Sequence, residues 1–455
     1  MKFRNKFLQN ILLLAACAAL FSSCALREEE ILPEKPEEAP RPTLFTVSYY
    51  AEGTLLTTET VPKDAVPGNA PEYYGERSII DWQDRNGAVR RISRLPICED
   101  AAYYAVFGAA LLRQGGYLAA REDGLFHPLE SFTRGDAVRA VYAMLEDKPE
   151  GELFLRDVTT RASSYKSACA LISAGYISTE ANGCFYPDRA ITKDELTALL
   201  SHIFAPAAVE REAAAFGDTF LRFEAAELIN ALLMPEGAHE SAVFADVSPE
   251  RPYYDAVMLA GSGGEALPEP GFVLREGRLY YARDDGRFLC DGMVGTLYFD
   301  ASGRYTSGDE ALDGFVSEAL RSHTEESMTR MEKLRAVYEY VRDRFLYMKR
   351  NTYSPGETGW EVSEALTMFR SGKGNCYNFT GAFWALARGL GYDAVCRSGR
   401  IGAAQDPHSW VEIAEDGEVY IYDPETEMSC RLVNDTVTSL YRLPRGESEK
   451  WNYTR

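Results

Sequence analysis

One cysteine lies where a helix is predicted to begin, in the stretch GKGNCYNFTG. Downstream of Cys376, apolar residues recur at helical spacing, namely Phe379, Phe383, Leu386 and Leu390. The unpaired N–H groups and the macrodipole of a helix N-terminus favour a thiolate, and the preceding glycines allow a substrate to approach the backbone closely. Cys376 is therefore a candidate nucleophile, although a cysteine ahead of an apolar helix is usually a small buried hydrophobic residue.

A thiolate nucleophile needs a base, and one of the five histidines has a suitable context. His408 lies in QDPHSWVEIAEDGEVYIYDPE, which predicts a strand, a turn at Asp416-Gly417 and a second strand. Such a hairpin brings Asp423 to within about two residues of the position opposite His408. A carboxylate there can accept a hydrogen bond from the imidazole and fix its tautomer, so the three side chains fill the roles of a catalytic triad.

These motifs resemble those of the transglutaminase-like superfamily, part of the papain-like cysteine enzymes. The shared pattern is a Gly-x-Cys helix start, a His-x-Trp strand and an Asp-Pro at the end of the next strand, present here as Gly374-Asn375-Cys376, His408-Ser409-Trp410 and Asp423-Pro424. The resemblance implies a papain-like α+β domain over residues 309–455 and acyl transfer at an amide of a protein or peptide. It makes Cys376 the nucleophile, His408 the base and acid, and Asp423 the orienting group.

The resemblance also implies an oxyanion site and leaves the outcome of the reaction open. The Cys376 N–H would supply one donor, and an upstream aromatic residue often supplies the second, for which Tyr347 is the candidate. Water as the acceptor would give a peptidase or amidase, and a lysine would give a cross-linking enzyme. Because the superfamily includes members that only bind, a non-catalytic wall-binding or adhesion scaffold is the alternative. No metal or other cofactor is indicated, and bound calcium is left open.

Helical patterns upstream of the cysteine complete this domain. Thr329 to Glu332 form a predicted capping box. One apolar helical face follows, made of Met331, Leu334, Val337, Val341 and Phe345. A second helix is predicted roughly from Val362 to Phe369, after Trp360, which we expect to pack in the core.

The middle of the chain contains an internal repeat. Gly116 aligns with Gly175, Phe126 with Phe185 and Pro128 with Pro187, without a gap. Each unit is predicted to be a helix, a glycine-bearing loop and a second helix opened by a threonine N-cap. The threonine motifs are Thr133-Arg134-Gly135-Asp136 and Thr192-Lys193-Asp194-Glu195, with a degenerate copy at Leu221-Arg222-Phe223-Glu224 and a further opening half-unit over Phe244 to Ala260.

These units resemble S-layer homology domains, whose second helix begins with a Thr-Arg-Ala-Glu-like motif. The resemblance implies an all-α region over residues 108–262 that binds an anionic cell-wall polysaccharide. A cation at a preorganised helix start can bind a carboxylate through a charge-assisted hydrogen bond. Arg134, Lys193 and Arg222 are therefore the candidate binding residues, and the alternative is that they are solvated charges at helix ends.

Two β-rich regions flank the repeat. Residues 43–107 resemble the internalin-type β-grasp repeat of bacterial surface proteins, through Trp82, the turn Asp84 to Gly87, Pro96-Ile97 and Asp100. This implies a spacer or adhesion module, with an unrelated small β domain as the alternative. Residues 271–308 contain two aromatic-then-glycine hairpins, YYARDDG and LYFDASG. They resemble the repeats of choline- and glucan-binding proteins, and a β-hairpin linker is the preferred interpretation.

The N-terminus predicts export. Lys2, Arg4 and Lys6 precede a short apolar stretch that ends in FSSC, which resembles a bacterial lipobox with Cys24 as the lipidated residue. Cys17 is a second lipidation candidate, and an ordinary cleaved signal peptide is the alternative. Residues 1–24 are thus predicted to be a lipoprotein signal peptide. The acidic, Pro-rich residues 25–42 are predicted to be a disordered tether on the extracellular face of the membrane.

Composition limits the partners. The net charge of −21 disfavours nucleic acid, because a binding face would have to overcome repulsion from phosphate. Seven cysteines remain after Cys24, an odd number with no zinc-like spacing, so a disulfide framework is not expected, although a single bridge stays open. Of these, Cys396 and Cys430 are predicted to be structural. The predicted fold class is multidomain α+β, with a β-grasp domain, a helical S-layer-homology-like region and a papain-like domain.

Overall fold

The computed structural model describes residues 42–75, 77–90, 92, 95–433 and 439–455. The predicted signal peptide, Cys17, Cys24 and residues 25–41 of the predicted tether lie outside these residues. Phe45–Arg455 form one compact unit. None of the helices in the described part of the chain is long and apolar enough to cross a membrane.

The N-terminal region is a mixed β-sheet. Its strands are β1 (Leu44–Ala51), β2 (Thr54–Pro62), β3 (Tyr73–Tyr74), β4 (Arg77–Gln83), β5 (Val89–Arg90) and β6 (Ala101–Phe107). The order is β2-β1-β6-β4-β3, with β5 paired to β4, and β1 runs parallel to β6. Trp82 lies in the core against Tyr49, as its apolar bulk requires. The described residues between 42 and 107 contain no α-helix, and the β-grasp assignment stays a prediction.

The middle region is mostly helical. It contains α1 (Arg134–Met144), α2 (Tyr165–Ser173), α3 (Lys193–Leu200), α4 (Pro206–Ala213), α5 (Arg222–Leu233), α6 (Tyr254–Ala260) and the short strands β7 (Leu118–Ala119) and β8 (Gly261–Ser262). The two strands pair in parallel, so the region is not purely α-helical as predicted. One continuous apolar core connects all six helices.

The predicted capping motifs open three of these helices. The hydroxyl of Thr133 accepts from the Asp136 N–H, and the hydroxyl of Thr192 accepts from the Glu195 N–H. The carboxylates of Asp136 and Glu195 in turn accept from the threonine N–H groups, which completes both capping boxes. At the third helix, the Glu224 carboxylate still accepts from the Leu221 N–H. The other hydrogen bond of the capping box is absent there, because leucine has no side-chain acceptor.

The first unit is not built as predicted. Residues 108–117 are not helical, although the repeat predicted a helix there. The half-unit over Phe244 to Ala260, which follows the third unit, packs against the first unit and contacts its loop instead. The Asp246 carboxylate accepts from the N–H groups of Phe126 and His127, as the Asp157 carboxylate does from Phe185 and Tyr186 in the second unit. The C-terminal half-unit therefore completes the first unit and closes the helical region into a ring.

A small hairpin region leads to the last domain. It contains β9 (Gly271–Arg275), β10 (Arg278–Ala282), β11 (Gly292–Val294), β12 (Leu297–Phe299) and β13 (Tyr305–Thr306). Each of the predicted YYARDDG and LYFDASG segments enters a tight turn, with Gly286 and Gly303 in the left-handed conformation that favours glycine. Arg304 ties this region to the helical ring by donating to Glu130. Both the preferred interpretation of these hairpins as a linker and the alternative that they bind wall polymer stay predictions.

The C-terminal domain packs helices on one antiparallel sheet. Its elements are α7 (Glu310–His323), α8 (Arg330–Arg344), β14 (Leu346–Tyr347), α9 (Glu361–Ser371), β15 (Lys373–Gly374), α10 (Cys376–Gly389), β16 (Val395–Ile401), β17 (Asp406–Glu415), β18 (Glu418–Tyr422), α11 (Pro424–Val433), β19 (Leu443–Pro444) and a 3₁₀ helix (Arg445–Trp451). The sheet order is β16-β17-β18-β19. The central helix α10 contacts α8, α9 and β17. Trp360 is buried as predicted, whereas Met331 on the predicted apolar face is exposed.

Candidate active site

The first residue of α10 is Cys376, and its surroundings fix the start of the helix. Asn375 is the N-cap, and its side chain accepts from the Tyr377 N–H, while the Asn378 side chain accepts from the Asn375 N–H. A Cβ on Gly374 would lie 2.3 Å from that of Asn378, so only glycine fits there. The Cys376 thiol is thus held at a helix N-terminus, as the sequence predicted.

The hairpin of β17 and β18 brings His408 to Asp423. Val411 pairs with Tyr422, so Asp423 follows the strand two residues from the position opposite His408. His408 Nε2 lies 2.7 Å from Asp423 Oδ2 and 3.2 Å from the Thr426 hydroxyl. Since Asp423 engages Nε2, Nδ1 is the ring nitrogen left for Cys376, which lines the same cavity as His408.

Both oxygens of the Asp423 carboxylate accept hydrogen bonds from the protein. Besides His408, the Tyr453 hydroxyl donates to Oδ2 at 2.6 Å and the Thr426 N–H donates to Oδ1 at 2.9 Å. Burial alone would raise the pKa of Asp423, but the charge of His408 and these hydrogen bonds lower it below its usual value. Asp423 therefore stays ionised beside the ring.

The electrostatics of the pair favour a charged imidazole. Burial alone would lower the pKa of His408, yet the charge and hydrogen bond of Asp423, together with Cys376, raise it well above its ordinary value. An imidazole that readily holds a proton can take one from the Cys376 thiol and keep it. The arrangement can therefore generate a thiolate beside an imidazolium.

Cys376 and His408 open into a cavity of about 480 Å³. Tyr347 lines it, because β14 pairs in parallel with β15 and places Tyr347 opposite Gly374, two residues before Cys376. Partial burial, with Glu425 and Cys376 nearby, raises the pKa of Tyr347, so its phenol stays a protonated donor. The structure thus places the predicted oxyanion residue at the cavity, while its role stays a prediction.

Three side chains of the site were not anticipated from the sequence. Glu425 lines the cavity, Tyr453 donates to Asp423, and Thr426 lies against His408. Glu425 and Thr426 directly follow the Asp-Pro motif, which is a usable signal. Tyr453 lies thirty residues away from Asp423 in sequence, without any motif.

A metal ion is one conceivable occupant of this cluster. His408, Asp423 and Glu425 offer one ligand atom each within 4.8 Å of one another. Binding a metal through all three would require His408 Nε2 and Asp423 to give up their 2.7 Å hydrogen bond if those atoms became ligands. A metal held by those two atoms and the hydrogen-bonded pair would therefore exclude each other.

Two of the three predicted wall-binding cations, Arg134 and Arg222, are buried inside the helical ring. Arg134 is 2% exposed and donates to the carbonyls of Phe185 and Ser178 and to Glu195. Arg222 is fully buried and repeats these contacts in the aligned positions. It donates to the carbonyls of Phe126 and Ala119 and pairs with Asp136 at 3.0 Å.

Each arginine therefore joins the loop and helix start of another unit, which is the geometry that a planar guanidinium suits. The structure corrects the alternative that Arg134 and Arg222 are solvated charges. Lys193 is half-buried and donates to the Phe216 carbonyl at 2.7 Å. Binding of wall polymer by Arg134, Lys193 or Arg222 stays a prediction.

All seven cysteines in the described part of the chain are free. Cys396 is buried in the core of the C-terminal domain, consistent with a structural role, and Cys430 lies on α11.

Comparison with protein families identifies two domains. Residues 317–424 match the transglutaminase-like superfamily, and residues 155–197 match the S-layer homology domain. The chain thus carries a transglutaminase-like domain near its C-terminus and an S-layer homology domain in its middle. The S-layer homology domain indicates an association with the cell surface or cell wall.

The chain has a low similarity to one solved structure. A solved structure of a candidate cysteine protease from Cytophaga hutchinsonii is 17% identical over 26% of this chain and 43% of that chain, with a TM-score of 0.20. The chain thus spans less than half of that protein, and such a superposition bears on neither fold nor function. No curated protein matches the chain.

Proposed function

We propose that this protein is a cell-surface cysteine enzyme that cleaves amides of proteins or peptides, or transfers their acyl groups, through Cys376, His408 and Asp423. The observation that carries this proposal is the 2.7 Å hydrogen bond between His408 and Asp423 at a cavity that also holds Cys376. The match to the transglutaminase-like superfamily over residues 317–424 supports the reaction class.

In the first half-reaction the amide bond breaks. The Cys376 sulfur attacks the amide carbonyl carbon while the thiol proton passes to His408 Nδ1. The tetrahedral intermediate collapses, the C–N bond breaks, and His408 returns that proton to the leaving amine. Asp423 holds the ring in place and stabilises its positive charge throughout. The product is a thioester on Cys376.

In the second half-reaction the thioester is discharged. Water or an amine attacks the thioester carbon and His408 takes its proton. The C–S bond then breaks, and His408 passes that proton to the Cys376 sulfur, which restores the thiol. Water gives a carboxylic acid and an amine gives a new amide. Both outcomes use the same three residues, so the acceptor is selected by the cleft rather than by the triad.

Two donors can meet the oxyanion. The Cys376 N–H is in the first turn of α10 and has no acceptor among the described residues. The Tyr347 hydroxyl lines the same cavity and stays protonated. Donors aimed at the developing charge stabilise the transition state most where water is excluded.

The other modules serve display at the cell surface. The S-layer homology domain would hold the protein against wall polysaccharide, with Arg134, Lys193 and Arg222 as candidate contacts. A lipid on Cys24, or on Cys17, would anchor the chain to the outer face of the membrane. The acidic residues 25–42 would then act as a tether.

A peptide library tests the proposal directly. The chain lacking residues 1–24 is incubated with peptides of varied sequence, some of which contain glutamine. The reaction is run with and without a primary amine, and mass spectrometry shows whether a glutamine side-chain amide or a backbone peptide bond has reacted. We expect hydrolysed or amine-bearing products from the wild type and none from Cys376→Ala. Equal products from both proteins, or none from either across the library, would overturn the proposal.

A further inference from the structure

Two segments near Cys376 are rich in cations. Residues 344–353, RFLYMKRNTY, and residues 370–378, RSGKGNCYN, contain five arginines or lysines and no carboxylate. The chain as a whole has 69 acidic against 48 basic residues, so the local balance of charge is the reverse of the overall one. These five residues are termed the cationic rim and are Arg344, Lys349, Arg350, Arg370 and Lys373.

Hydrogen bonds hold the first segment along the second, beside the start of α10. The Met348 N–H donates to the Gly374 carbonyl at 2.8 Å. Three residues further along, the Asn375 side chain donates to the Asn351 carbonyl at 2.9 Å. The two cations between these contacts therefore lie next to the two residues that precede the proposed nucleophile.

The cationic rim is exposed and keeps its charge. All five side chains belong to exposed residues, and none of them forms an ion pair with another residue in the described part of the chain. The carboxylates closest to these segments in sequence already accept hydrogen bonds, namely Asp343 from Arg342, Glu357 from the Ser354 N–H and Glu364 from the Tyr353 hydroxyl. The surface therefore carries an excess of positive charge.

An apolar strip lies between these cations. Leu346, Tyr347 and Met348 are 60%, 53% and 39% exposed, and Lys373 is opposite Leu346 in the paired strand. Adjacent large apolar side chains at a protein surface mark an interaction site. Since Tyr347 also lines the cavity that holds Cys376, a partner on this surface would be continuous with the reacting amide.

We propose that the cationic rim binds an acidic segment of the protein or peptide substrate, next to the amide that enters the cavity. This inference rests on the proposed function, since it names the substrate class of the same site. Complementary charge speeds the encounter and fixes the orientation of the partner. The carboxylates that line the cavity, Asp406 and Glu425, come from β17 and α11. Acidic side chains are therefore favoured on the β14 side of the cavity and disfavoured inside it.

Binding is measured apart from catalysis, in a Cys376→Ala background of the chain lacking residues 1–24. Titration calorimetry compares two acidic peptides, with four glutamates either before or after a Gln-Gly pair, with counterparts that carry glutamine in place of each glutamate. At about 0.1 M salt we expect at least one acidic peptide to bind roughly tenfold more tightly, as a few exposed ion pairs allow. At about 1 M salt the preference should largely disappear, because the Debye length falls to about 3 Å.

Matched charge removals locate the effect. Lys349→Gln combined with Arg350→Gln should reduce the preference to about threefold or less. Arg156→Gln combined with Arg161→Gln removes the same charge from exposed positions of the helical ring and should leave the preference intact. No preference for either acidic peptide, or an equal loss in both double variants, would overturn the inference. Rim-dependent binding to phosphatidylglycerol vesicles without any preference for acidic peptides would overturn it in favour of a membrane surface.

Turnover by the active chain separates this inference from the proposed function. The preference for the acidic peptide should appear in KM with kcat nearly unchanged, because the cationic rim does not touch the reacting atoms. A chain that prefers an acidic peptide through the rim but transforms no amide would refute the proposed function alone. A chain that binds and transforms acidic and neutral peptides equally well would refute this inference alone.

Discussion

Replacing Asp423 by asparagine tests the role assigned to the carboxylate. Two donors, His408 and Tyr453, share Oδ2, and the Thr426 N–H uses Oδ1. Asparagine can keep its single oxygen toward His408 only by turning its NH₂ group against the Thr426 N–H. The variant therefore loses the negative charge beside the buried imidazole and one backbone hydrogen bond.

The size of the effect follows from burial. Asp423 is 1% exposed, so the imidazolium would lose a partner that water cannot replace. Removing one member of a buried ion pair costs about 3–5 kcal/mol. If that cost falls on the protonated state of His408 used in the reaction, kcat/KM drops by roughly two to four orders of magnitude.

Steady-state kinetics on a peptide turned over by the wild type would measure this loss. Tyr453→Phe is the matched control, because it removes one hydrogen bond to Asp423 and leaves the charge, and its loss should be about tenfold or less. Circular dichroism must show that both variants are folded. A folded Asp423→Asn protein that keeps kcat/KM within about threefold of the wild type would refute this reasoning.

Three further predictions concern the ring, its pH dependence and the oxyanion. Arg222→Met should lower the free energy of unfolding by about 3 kcal/mol in urea unfolding, because it leaves Asp136 and two carbonyls without their buried partner. Arg156 is exposed, so the control Arg156→Met should change the free energy of unfolding by about 0.5 kcal/mol or less. Burial opposes ionisation of Asp136, but its arginine neighbours lower its pKa from 3.8 to about 2. Its contribution of about 2 kcal/mol is thus present above about pH 4 and lost as the pH falls through about 2, and an Asp136→Asn protein showing the same acid loss would contradict this. Tyr347→Phe should lower kcat about 100-fold with KM nearly unchanged if the hydroxyl meets the oxyanion, and an unchanged kcat would exclude that role.

The positions of the three proposed triad residues were accessible from sequence because each part is locally encoded. Helical periodicity after Cys376 and the Asp-Gly turn between two alternating strands determine the helix start and the strand register. With the register known, the proximity of His408 and Asp423 follows from the pairing geometry alone. Local patterns of this kind also located α8 and α9 to within a few residues.

The contacts between units that close the helical ring could not be derived from the sequence in the same way. The first unit takes its Asp246 from a segment far along the chain, and no local pattern indicates that residues 108–117 forgo a helix. The burial of Arg134 and Arg222 likewise depends on how the units meet. Local sequence shows a cation at a helix start, and only the packed ring shows that the protein already supplies its partners.

Reactivity of Cys376 tests the central claim most directly. The chain lacking residues 1–24 is treated with limiting iodoacetamide near pH 6, and the modified cysteines are mapped by mass spectrometry in the wild type and in His408→Ala. The account predicts fast labelling of Cys376, ahead of the other six thiols despite their varied exposure, and slow labelling of Cys376 in the variant. Labelling of Cys376 no faster than the other thiols, or equally fast without His408, would contradict a working thiolate–imidazolium pair.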